Sequence, residues 1–172
     1  ISDDGSTDET VEIASDFAKR AAPVEVAIHR NPAPLGCSPN FSKAASLCSG
    51  DLIFFSDQDD RWFPAKIGTV AGSFGDGVHV VTNDCVITDA AGNPWGTKLS
   101  NVRALGLPDE SFRSGCCTAF TRAFADLALP IAEGADYDVW ACFLADRLRV
   151  RKILPEPLQL YRRHGSNVSN AF

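Results

Sequence analysis

The stretch that decides the fold reads Leu52-Ile53-Phe54-Phe55-Ser56-Asp57-Gln58-Asp59-Asp60-Arg61. Its four apolar residues suit a short buried strand, and its polar end crowds three carboxylates into four positions. Unpaired carboxylates that close repel one another and drift up in pKa. A divalent cation with oxygen ligands relieves the repulsion, and a cation held there can carry phosphates. A metal-diphosphate site at a strand tip is the expectation from these ten residues.

Before this stretch, Asp3-Asp4-Gly5-Ser6-Thr7-Asp8-Glu9 reads as a turn entering a helix, with Ser6 and Glu9 spaced as a capping box. Val11, Ala14, Phe17, Ala18 and Ala21 form its apolar stripe, Pro23 closes it, and Val24, Val26 and Ile28 alternate as a strand. A Pro- and Gly-rich loop, residues 29–36, then leads to a helix from about Pro39 with Phe41, Ala44, Ala45 and Cys48 inward. After the acidic stretch, Pro64 opens a helix whose inner face is Ile67, Val70, Ala71 and Phe74. Residues 78–82 and 85–88 read as two strands, and residues 96–111 as a polar, irregular loop. A helix from Asp136 buries Trp140, Phe143, Leu144 and Leu148; strands at 150–154 and 158–161 and a polar loop end the chain. Alternating strands and helices imply one α/β domain over residues 1–172, with a mixed, mainly parallel sheet flanked by helices. Ligands of such sheets gather beyond the carboxyl ends of the strands, where Asp3-Asp4 and Asp57–Asp60 both fall.

The 172 residues carry a formal charge of −6, which argues against a nucleic-acid partner. No stretch approaches the ~20 apolar residues of a membrane span. Six cysteines without a CxxC pair read as reduced, buried residues of a cytoplasmic protein. Trp62 and Trp140 read as packing residues rather than sugar platforms, and Cys116-Cys117 as small packing residues. The chain has no Met and opens on Ile1, so it is expected to be N-terminally incomplete, with Ile1-Ser2 the tail of a strand.

Five ordered blocks resemble the family 2 glycosyltransferases, and among them rhamnosyltransferase-like bacterial members. Ser2-Asp3-Asp4-Gly5-Ser6-Thr7-Asp8 is similar to the family's nucleotide-binding turn, and Ser56–Trp62 to its DxD motif. Ser114-Gly115-Cys116 resembles the acceptor-side segment, Tyr137-Asp138-Val139-Trp140 the segment bearing the catalytic base, and residues 161–168 the closing motif. Val139 stands where related sequences often carry an aromatic residue. The resemblance implies a GT-A fold, a nucleotide-diphosphate sugar donor, Mg2+ or Mn2+, and transfer with inversion, with rhamnose one candidate sugar. It also implies a saccharide or lipid-linked saccharide acceptor in cell-surface polysaccharide synthesis. Enzymes of this kind often work at the inner face of the plasma membrane, which implies peripheral membrane association, although no stretch reads as an amphipathic anchor.

Within that resemblance Asp57, Asp59 and Asp60 hold the ion, with His164 approaching it, and Asp57 also serves the donor phosphates. Asp3, Asp4, Arg30 and Asn31 contact the nucleotide, and Arg162 and Arg163 neutralise phosphate charge. Asp138 is the general base that takes the acceptor hydroxyl's proton. Each assignment has a plainer alternative: a solvated acidic turn for 57–60, helix capping for Asp3, Asp4, Asp136 and Asp138, and a surface position for His164. The competing functions are a degenerate nucleotide-sugar or metal-binding domain and a nucleotidyltransferase. No Walker-type loop supports phosphoryl transfer.

Overall fold

The computed structural model describes residues 1–165 and residue 167. In chain order the elements are β1 (Ser2–Asp3), α1 (Thr10–Arg20), β2 (His29–Arg30), α2 (Cys37–Leu47), β3 (Leu52–Phe54), β4 (Arg61–Trp62) and α3 (Lys66–Ala71). They continue as β5 (Val80–Thr88), β6 (Pro94–Thr97), α4 (Lys98–Ala104), β7 (Thr118–Thr121), α5 (Arg122–Ala128), α6 (Tyr137–Leu148) and β8 (Arg151–Arg162). β1 and β2 pair in parallel as a separate ribbon, and the larger sheet runs β3-β7-β5-β8-β4, with β6 beside β5. This is the expected α/β architecture with a mixed sheet and flanking helices. The balance of pairings differs from the expectation of a mainly parallel sheet. Only β1/β2 and β5/β8 are parallel among the described ladders, while β3/β7, β5/β7, β5/β6 and β4/β8 are antiparallel. Parallel neighbours need a crossover of a dozen or more residues; the turn from β5 to β6 is too short for one and closes a hairpin.

The largest core cluster, around Phe55, Phe120, Phe124, Ala141 and Ala145, lies between the sheet and helices α2, α5 and α6. Three expected elements changed. The two strands expected at 78–82 and 85–88 are one, Val80–Thr88, and β8, Arg151–Arg162, likewise runs through both expected terminal strands. Its register against β5 steps from Asn83↔Leu154 to Asp84↔Pro157, so Pro155 and Glu156 bulge out, and the pairing resumes through Val86↔Leu160. The segment 96–111 is not an irregular loop: Thr97 and Ser100 form a reciprocal capping box that starts α4. Conversely, residues 24–28 form no strand, and Val24 is exposed.

Helix faces also shifted. α1 buries no residue, and Glu9 makes no capping box with Ser6; the Asp8 carboxylate accepts from the Thr10 amide instead. Cys48 is exposed, as is Cys37, while the other four cysteines are buried, and all six are free. α6 buries Tyr137, Ala141, Cys142 and Ala145 rather than Phe143 and Leu148. On α3, Ile67 is 57% exposed and Lys66 only 1%, because the ammonium finds acceptors inside the fold. No helix among the described residues is long and apolar enough to cross a membrane.

Candidate active site

β3 delivers the acidic loop to the sheet edge, and β4 then pairs with β8, Trp62 opposite Gln159. This short return folds the loop back over β8, so each aspartate meets a partner from the distant C-terminal third. Asp57 Oδ1 accepts from the Tyr137 hydroxyl at 3.4 Å. Asp60 Oδ2 accepts from Gln159 Nε2 at 2.7 Å. Asp59 Oδ2 lies 2.8 Å from His164 Nε2 and accepts from Asn167 Nδ2 at 3.0 Å. Burial and the charges of Asp60 and Asp59 push Asp57 up to about 6; burial, with Asp59 nearby, also raises Asp60.

Ligand atoms of Asp57, Asp60 and Cys116 lie within 4.8 Å of one another. Asp59 and His164 form a pair of their own rather than joining that cluster. Asp60 Oδ1 is buried with no hydrogen-bond partner, a costly state for a carboxylate oxygen that a cation would relieve. Two carboxylates suit a hard ion such as Mg2+ or Mn2+. The Cys116 thiol, held well above its ordinary pKa by its contact with Cys117 and by burial, stays protonated and is a poor ligand for such ions. The residues present therefore fit the ion that the acidic motif implied, with Asp57 and Asp60 at its centre.

Asp138 begins α6. Its Oδ2 accepts from the Gly115 amide at 3.2 Å, and its Oδ1 from the Val139 amide at 2.8 Å. Asp136, at the helix N-cap, makes no side-chain cap. Gly115 itself is required by space: a Cβ there would lie 2.1 Å from the Tyr137 hydroxyl oxygen. The Tyr137 ring stacks on Phe41 with centroids 4.0 Å apart and meets Phe55 edge-on. One residue thus locks the acidic loop, the 114–117 turn and the start of α6 together.

The nucleotide-side residues reach this cluster through the beginning of α2. Asp4 accepts from the amides of Leu35 and Gly36, each at 2.8 Å, and from Asn31 Nδ2 at 2.7 Å. These bonds, the Leu35 amide first, hold its pKa below the usual carboxylate range. Gly36 adopts φ 87°, open to glycine at little cost. Two residues on, Ser38 Oγ accepts from the Tyr137 amide at 3.1 Å. The Cys37 thiol between them is raised by burial and by the fields of Asp57, Asp138, Asp136 and Asp4. Asp3 is buried, accepts from the Ser6 amide and sits 3.4 Å from Arg30 Nε. Asn31 is buried among Asp4, Asn40 and Lys43, and with Asp4 it anchors the loop rather than projecting from it. Arg162 is exposed at the end of β8, and the Arg163 amide bonds the Thr88 carbonyl at 2.8 Å. Ser166 and Val168 of the closing motif lie outside the described residues.

Sequence reasoning missed Gln159 and Lys66 as members of this neighbourhood, and it placed Tyr137 and Cys116 in site segments without giving either a role of its own. Tyr137 had a signal, its place beside Asp138; a glutamine inside an apolar strand and a lysine on a helix have none until the fold is known.

The mixed α/β sheet, with carboxylates after β3 and a further one at the start of α6, has the GT-A fold of the structures it resembles. The Glycosyl transferase family 2 model matches residues 1–127, and the chain belongs to that family. Its structure is similar to the mannosyltransferase PcManGT from Pyrobaculum calidifontis, solved with GDP-Man and Mn2+, at TM-score 0.71 and 15% identity over 96% of this chain and 47% of that one. S. aureus TarS residues 1–349 align at TM-score 0.68 and 14% identity, over 94% of this chain and 50% of theirs. Glucosyl-3-phosphoglycerate synthase from Mycobacterium tuberculosis, solved with Mg2+ and UDP, aligns at 0.58 and 19%, over 95% and 59%. The chain thus spans about half the length of these structures. No curated protein matches it in sequence.

Proposed function

We propose that this chain is the donor-binding and catalytic part of an inverting, metal-dependent glycosyltransferase. In this reading Asp57 and Asp60 hold Mg2+ or Mn2+, Asp59 and His164 stand beside them, and Asp3 and Arg30 receive the nucleotide. Asp4 and Asn31 shape the loop over it, and Arg162 and Arg163 face the phosphates. The bound ion would supply charge neutralisation for the departing diphosphate. Asp138 takes the proton from the acceptor hydroxyl as that oxygen bonds to the anomeric carbon and the bond to the diphosphate oxygen breaks. Attack from the face opposite the leaving group inverts the configuration. Asp138 is held through the Gly115 amide and Asp57 through the Tyr137 hydroxyl, and two carboxylates fixed to one packed seam suit a reaction that depends on positioning.

The observation that carries this reading is the buried, unpartnered Asp60 Oδ1 beside Asp57 at the tip of β3. The ligands of two structural neighbours, GDP-Man with Mn2+ and UDP with Mg2+, support a nucleotide-diphosphate sugar as donor; rhamnose is one candidate. The acceptor is a saccharide or lipid-linked saccharide hydroxyl, and the site of action the cytoplasm or the inner membrane face. The test is release of nucleoside diphosphate from a panel of nucleotide sugars with Mn2+ and with EDTA. Release from one donor that requires Mn2+ is expected. Donor binding without turnover, for every sugar and acceptor saccharide tried, would favour a binding domain instead.

A further inference from the structure

Behind the acidic loop lies a polar chain that the metal site alone does not explain. Lys66 is 1% exposed and Gln159 wholly buried. The Lys66 ammonium donates to the Cys116 carbonyl at 2.8 Å and to Gln159 Oε1, and it lies 4.1 Å from the centre of the Trp62 ring. Among the described residues it makes no ion pair. Gln159 Nε2 in turn donates to Asp60 Oδ2.

The order of donors and acceptors in this chain is forced. An ammonium has three donors and no acceptor, whereas a glutamine amide can present either end. Lys66 therefore compels Gln159 to turn its carbonyl inward and its NH2 toward Asp60. An NH2 can only donate, so Asp60 must meet it as an acceptor, and its Oδ2 is pinned in one direction. The other oxygen, Oδ1, is buried and makes no hydrogen bond of good geometry, beside Asp57 and Cys116. A glutamine free to rotate could face Asp60 with its carbonyl and repel the carboxylate instead.

We propose that Lys66 and Gln159 are positioning residues for the metal-diphosphate site: the buried lysine fixes the glutamine amide, and the amide orients Asp60 so that Oδ1 is presented to the cation. This rests on the reading that Asp57 and Asp60 hold that cation. Outer partners of this kind contribute 10- to 100-fold in metal affinity. Because Lys66 acts through Gln159, its contribution should vanish once the glutamine is gone.

The test measures Mn2+ binding by the loss of the free-ion electron paramagnetic resonance signal, with thermal unfolding followed in parallel. Lys66→Met and Gln159→Leu should each weaken Mn2+ binding about 10- to 100-fold. Adding Lys66→Met to Gln159→Leu should weaken it no further, and Lys66→Arg, still a pure donor, should restore most of the affinity lost in Lys66→Met. If either single variant does not fold, the double variant Lys66→Met/Gln159→Leu decides by the same loss of Mn2+ affinity, since it leaves no buried ammonium without its acceptor. Single variants that melt lower yet bind Mn2+ as the parent does, while Asp57→Asn weakens it, would overturn the positioning role and leave the site reading standing. A parent protein that binds no Mn2+, or binds it equally well as Asp57→Asn, would overturn both.

Discussion

Replacing Gly115 by alanine places a methyl carbon 2.1 Å from the Tyr137 hydroxyl oxygen and 2.3 Å from two of its ring carbons, far inside the ~3.5 Å of a normal contact. Neither side can yield cheaply. The Gly115 amide is bonded to Asp138, and the next carbonyl, of Cys116, is bonded to Lys66. Tyr137 is backed by its stack on Phe41 and its edge contact with Phe55. Overpacking costs about 1–3 kcal/mol, and displacing the ring forfeits about 0.5–1.5 kcal/mol for each aromatic pair. A loss of about 3 kcal/mol corresponds to a melting temperature lower by roughly 6–12 °C in a domain of this size. Gly68→Ala is the matched control: nothing lies within 4 Å of its added carbon, and within helix α3 the change should be neutral or stabilise by up to ~1 kcal/mol. Thermal unfolding by circular dichroism measures both. A Gly115→Ala protein that melts within 1–2 °C of the parent would refute the packing that joins the 114–117 turn to α6.

Asp138→Asn should lower turnover by 10²- to 10⁴-fold with donor binding retained; equal turnover in a diphosphate-release assay would remove the base assignment. In the metal-free protein, the raised pKa of Asp57, about 6, means that the folded state holds a proton which the unfolded chain has released above about pH 4. Stability therefore falls as pH rises from about 4 to 6 and is level above, by up to about 3 kcal/mol; in urea titrations with EDTA, Asp57→Asn should flatten that slope. Arg151 bonds Asp146 through two nitrogens, at 2.6 and 3.1 Å, and the carbonyls of Phe112 and Glu110, each at 2.7 Å. Arg151→Met should cost about 3 kcal/mol, read from the urea midpoint.

What could be read without the fold followed from local physics. A four-residue apolar run before Asp57 is a strand whatever surrounds it, and the acids at 57–60 announce a charge problem that calls for a solution. The solution itself is non-local. Gln159 reads as a polar interruption of β8 until β4 folds back beside it, and Lys66 reads as a surface residue because lysine seldom buries its charge unpaired. Residues 155–157 look like a strand break, since two prolines remove ladder donors; a bulge absorbs them instead. The α4 start was hidden for a different reason. Its cap pairs Thr97 with Ser100 rather than with an acid, and so lacks the usual signature. The apolar stripe of α1, Val11, Ala14, Phe17, Ala18 and Ala21, marks the helix correctly but not what it packs against, since the helix buries no residue and Phe17 is exposed.

The most direct measurement is calorimetric titration of UDP and GDP into the parent protein and into an Asp57→Asn/Asp60→Asn variant, each with Mn2+ and with EDTA. Binding of one nucleotide that needs Mn2+ and weakens at least tenfold in the variant is the expected result. Nucleotide binding of equal strength with EDTA, or unchanged by the paired substitution, would contradict a cation held at the tip of β3.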